Sequence, residues 1–73
     1  MNQTIEYQST QRAELIQCGV DKRGKPNEYE LQINGQRMKL IKLAEKGWVV
    51  EGGIKPFQAP KEAAYAVLYN HPY

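Results

Sequence analysis

Apolar and polar residues alternate most regularly between positions 28 and 40. Tyr29, Leu31 and Ile33 interleave with Glu28, Glu30 and Gln32, and the dipeptide Asn34-Gly35 follows. Period-two alternation marks a half-buried strand. Asn-Gly between two such runs is a strong hairpin signal, because both central residues of a type I′ turn take positive φ. A two-residue loop fixes the register. Ile33 faces Gln36, Gln32 faces Arg37, Leu31 faces Met38, Glu30 faces Lys39 and Tyr29 faces Leu40. Apolar pairs then share one side while Glu30 and Lys39 meet on the other, each pair contributing roughly 0.2–1 kcal/mol. A slip of one residue would reverse every facing.

The flanking patterns are shorter. Arg12 to Val20 reads as a strand with Ile16, Cys18 and Val20 on one parity, which makes Cys18 a buried small hydrophobe. Residues 21–27, punctuated by Gly24 and Pro26, read as a loop. The strand after Asn34-Gly35 continues through Ile41 and Leu43, residues 44–47 turn, and residues 48–51 form a further strand that ends at Gly52-Gly53. Ile54 and Phe57 flank Pro56 in a connector expected to cap one end of the core. Residues 1–10 lack periodicity and read as a flexible N-terminal tail, in which Ile5 and Tyr7 could add an edge strand. The domain proper is then expected over residues 11–73.

Pro60 suits the first helical position and Glu62 the first turn, while Ala59 is a poor N-cap. Asn70 and Pro72 supply a stop. At 100° per residue, Pro60, Ala63, Ala64, Val67 and Leu68 lie on one arc, which must face the sheet. Tyr65 and Tyr69 lie on the opposite arc with Glu62. The expected fold class is α+β, an antiparallel sheet of three to four strands packed against one C-terminal helix. Its expected core comprises Ile16, Cys18, Tyr29, Leu31, Ile33, Met38, Leu40, Trp48, Val50, Phe57, Ala64, Val67 and Leu68.

Composition narrows the chemistry. A chain of 73 residues makes one domain with a thin core. Its one cysteine permits no internal disulfide, and Cys18 with His71 falls short of a zinc ligand set, so neither a metal nor any other cofactor is expected. No apolar run approaches the ~20 residues of a membrane span, and residues 1–10 lack the features of a secretory signal. A cytoplasmic setting is the expectation. No P-loop, G-x-S-x-G, H-E-x-x-H or C-x-x-C occurs, and an enzyme is not expected.

Two surfaces attract interest. Tyr65 and Tyr69, with Glu62, offer rigid aromatic area for a protein partner or a second copy of the chain, unless the N-terminal segment or Tyr73 folds over them. Lys22, Arg23 and Lys25 cluster in one loop, and with Arg37 and Lys39 they could meet phosphates while tyrosines stack on bases. A net charge of +2 is modest for that role. Residues 48–51, 53–57 and 61–66 resemble the last strand and helix of AP2-type and integrase-arm DNA-binding domains. That resemblance implies a three-stranded sheet entering the major groove. The chain departs from the pattern in lacking arginine-rich reading strands, at Ala59, where Ser or Thr is usual, and at Glu28 and Glu30, where a phosphate-facing sheet wants cations. The first expectation is therefore a non-enzymatic protein-interaction module. The second is a small nucleic-acid binder.

Overall fold

Each strand of the protein contributes one large aliphatic side chain to a single buried core. The computed structural model describes residues 2–8 and 10–73. The chain order is β1 (Gln3–Tyr7), β2 (Gln11–Val20), β3 (Pro26–Ile33), β4 (Gln36–Leu43), β5 (Gly47–Val50) and α1 (Pro60–Leu68). The strands form one antiparallel sheet in sequential order. Ile5, Leu15, Leu31, Leu40 and Val50, one per strand, are the largest fully buried side chains. Burying each stabilises the fold by roughly 1.5–3 kcal/mol.

The sheet has five strands where three or four were expected. The added strand is β1, so the sheet begins at residue 3 rather than at residue 11. Ile5 sits opposite Ala13 and is only 1% exposed, and Tyr7 is buried beside it. Residues 3–7 thus belong to the core and are not a tail, and the edge strand suggested by Ile5 and Tyr7 is present.

The β3–β4 hairpin has the expected register at every position, from Tyr29–Leu40 to Ile33–Gln36. Asn34 and Gly35 take φ of 47° and 82°, as a two-residue hairpin turn requires. β3 also starts earlier than expected, taking Pro26 and Asn27 from the loop.

The parity of β2 is the reverse of the expected one. Ala13 and Leu15 are buried, Ile16 is half-buried and Cys18 is exposed. Leu15 lies opposite Leu31, and cross-strand partners share a face, so Ile16 falls on the outer face beside Glu30. The register then shifts between Gln17 and Gly19, leaving Cys18 without an opposite residue on β3. A bulge of this kind hides from a parity argument.

Helix α1 packs over β4 and β5. Ala63 and Ala64 are fully buried, and their small side chains let the helix approach the sheet closely. Ala66 is buried too, outside the expected arc, while Val67 is only half-buried. Phe57 packs against the core, but Ile54 is 92% exposed and caps nothing. The last described residues return to the connector that follows β5. The main-chain oxygen of Tyr73 accepts the N–H groups of Ile54 and Lys55 at 2.7 and 3.0 Å, and His71 N–H donates to the Ala66 carbonyl at 2.8 Å.

Candidate functional site

The two tyrosines at the end of α1 differ in exposure: Tyr65 is half-buried, and Tyr69, at the C-cap, is exposed. Tyr65 packs against the core. Tyr69 stacks on it at 6.1 Å and meets Tyr7 edge-on at 6.3 Å. The Tyr69 hydroxyl accepts the main-chain N–H of Gln8 at 3.2 Å. The N-terminal segment thus folds against these rings, as β1 brings Tyr7 and Gln8 to the end of the helix, while Tyr69 keeps an exposed face. Glu62 remains exposed in the first turn, apart from this cluster.

The cations of the second expectation are spread out. Lys22, Arg23 and Lys25 lie in the loop between β2 and β3. Arg37 and Lys39 lie on the outer face of β4, opposite Gln32 and Glu30. Arg37 sits near the Asn34-Gly35 turn, at the other end of the eight-residue β3, which at ~3.3 Å per residue places it roughly 20 Å or more from the loop. Glu30, expected to pair with Lys39, instead accepts a hydrogen bond from Gln32 Nε2 at 2.8 Å and pairs diagonally with Arg37 at 3.6 Å. Arg12 pairs across strands with Glu6 at 3.8 Å. A shallow cavity of about 290 Å³ lies between Arg12 and Arg37, with Glu14, Gln32 and Asn34 in its wall. Its two guanidiniums each have a carboxylate neighbour, so little positive charge is free there.

The loop itself is hydrogen-bonded around Asp21. The Asp21 carboxylate accepts the N–H groups of Arg23 and Lys25 at 2.8 and 2.9 Å. The Lys25 N–H foremost, then that of Arg23 and the charges of Lys25 and Lys42, hold this carboxyl below its ordinary value of 3.8 against some loss of hydration.

The two edges of the sheet complete the geometry. On the β5 side, Phe57 bridges to Trp48: Trp48 N–H donates to the Phe57 carbonyl at 2.7 Å and Phe57 N–H to the Trp48 carbonyl at 2.8 Å. Gly47, at φ 113°, makes this possible, since a Cβ there would collide with the Phe57 carbonyl oxygen. On the β1 side, no described segment pairs with residues 3–7 except β2. β1 contains no proline, no lysine and no bulge; of the usual devices that protect an edge it has only its shortness and the exposed charge of Glu6. Thr4 and Glu6 point outward from the core face, Thr4 donating to Glu14 at 3.0 Å.

The sequence had suggested the edge strand but not that it would be the open side of the sheet. The alternation of Thr4 and Glu6 with Ile5 and Tyr7 was the signal available. Among the described residues, no group of three or more His, Cys, Asp or Glu side chains could hold a metal ion. No described helix is long and apolar enough to cross a membrane. No known family model, curated protein or solved structure matches the chain. The resemblance to integrase-arm domains thus gains no family support, and the three strands it implied are five here.

Proposed function

We propose that the protein is a non-enzymatic interaction module that accepts an extended segment of a protein partner along the free edge of β1. One observation carries the reading: of the two edges of the sheet, that of β5 is bridged by Phe57, and that of β1 has no strand partner on its outer side among the described residues. An unpaired edge presents a row of N–H and C=O groups that another strand satisfies directly. Tyr69 and Tyr65 support this role by bracing Tyr7 and Gln8 at the end of the strand. A single exposed thiol, Cys18, fits a reducing, intracellular setting.

The test is a backbone-resolved NMR titration with an alternating threonine–valine heptapeptide. Amide shifts centred on residues 3–7 are expected. Absence of shifts at millimolar peptide, or shifts centred elsewhere, contradicts the reading.

A second reading, nucleic-acid binding, is favoured by the ordered loop that carries Lys22, Arg23 and Lys25, with Lys42 close enough to act on Asp21. Arg37 and Lys39 lie apart from it. A gel-shift at low salt tests this reading, since phosphate contacts weaken steeply as salt rises. Retardation lost on neutralising the loop cations would support it.

A further inference from the structure

We infer that the strand received by β1 is the β1 of a second copy, joined antiparallel about a twofold axis through Ile5. This inference rests on the strand-addition reading above and names its partner.

The argument is one of register. Across a new strand pair, residues with the same facing must lie opposite each other, because one face of β1 is buried and the other is not. A twofold antiparallel pair meets this condition only when the axis passes through a residue. Three centres are then available within the strand. Centred on Glu6, the two Glu6 carboxylates would face each other, and like charges directly opposite are destabilising. Centred on Thr4, only residues 3–5 face strand residues of the partner subunit, and Glu6 faces Asn2 of the partner subunit, beyond the strand. Centred on Ile5, all of residues 3–7 find partners: Gln3 faces Tyr7 of the partner subunit, Thr4 faces Glu6 of the partner subunit, and the two Ile5 side chains adjoin beneath the sheet.

Charge follows the same arrangement. Along the outer face, Glu14 lies beside Thr4 and Arg12 beside Glu6. Joining the copies about Ile5 gives the order Glu14, Thr4, Glu6 of the partner subunit and Arg12 of the partner subunit. The polar Thr4 separates the two carboxylates, and Glu6 keeps its Arg12 neighbour. The result is a continuous ten-stranded sheet whose outer ends are both β5 strands, each bridged by Phe57.

A five-residue edge buries well under the ~1,200–2,000 Å² of a stable complex, so the association is expected to be weak and to develop toward millimolar protein.

Sedimentation equilibrium of the full chain, from micromolar to millimolar protein, tests the inference together with Thr4→Lys and Thr4→Glu. Thr4 is exposed, and the circular dichroism of each variant verifies its fold. In the Ile5-centred pair, Thr4→Lys sets each introduced ammonium opposite Glu6 of the partner subunit, and dimerisation tightens roughly 2- to 30-fold. Thr4→Glu sets carboxylate against carboxylate and weakens it by a similar factor. A Thr4-centred pair would make Thr4→Lys weaken association instead, which overturns the register. Wild-type protein that stays monomeric at millimolar concentration overturns the second copy as partner. In that case the threonine–valine peptide decides separately: shifts at β1 leave strand addition standing, and their absence removes it as well. Association unaffected by either substitution also overturns the proposal.

Discussion

The sheet's two edges contrast in what the chain does after each strand. Beyond β5, the chain turns at Gly52 and runs back far enough for Phe57 to bridge Trp48. The main-chain oxygen of Tyr73 then holds Ile54 and Lys55 in place. Beside β1 no described segment takes the corresponding position. Its support comes from the core face, where Ile5 and Tyr7 are buried and Tyr69 packs on Tyr7. The difference teaches that an edge strand can be fully integrated into a core while its hydrogen-bonding side stays available. Firm anchoring and openness together distinguish a docking edge from a frayed one.

The largest effect expected from breaking this comparison is at β1 itself. Ile5→Ala should destabilise the protein by about 2–5 kcal/mol, the range for a fully buried aliphatic side chain, as read by urea denaturation. A loose tail would show almost no change. Gly47→Ala attacks the other edge. It forces a Cβ against the Phe57 carbonyl at φ 113° and should cost about 2–4 kcal/mol. It should also raise the hydrogen-exchange rate of the Trp48 amide, whose bond to Phe57 it disrupts. Tyr69→Phe removes only the acceptor for the Gln8 N–H and should cost about 0.5–1.5 kcal/mol, while the ring contacts with Tyr7 and Tyr65 survive.

The smallest effect lies away from both edges. Asp21's carboxyl is held below 3.8 in the folded protein, so its contribution to the loop is fully present above that value. The contribution is lost as pH falls through the lower folded value. NMR shifts of the Arg23 and Lys25 amides should therefore stay constant down to about pH 4 and move only below it. Asp21→Asn should abolish that movement.

Much of the fold was legible in the residues. Asn34-Gly35 sets the β3–β4 register because its turn geometry admits no other loop length, and Ala63, Ala64 and Leu68 mark the buried side of α1. The parity of β2 was not legible, because it depends on pairing with β1 and β3 and on the shift at Cys18. Local alternation favoured the larger Ile16 and Val20 over Ala13 and Leu15. The contact between β1 and the tyrosines at the end of α1 was not legible for a related reason. A helical wheel places Tyr65 and Tyr69 opposite the sheet, but it contains no information about β1, which reaches the end of the helix from the far side of the sheet. Of the expected interaction residues, Tyr69 proves to brace the open edge, and Glu62 stands apart from it.

Residue-resolved hydrogen exchange at residues 3–7, compared between micromolar and millimolar protein, tests the open edge most directly. Outward-pointing amides of β1 should exchange fast in dilute protein and slow at high concentration, at alternate residues, while the β3–β4 hairpin stays protected throughout. Protection of β1 that does not vary with concentration, or that develops at Trp48 to Val50 instead, would contradict the account.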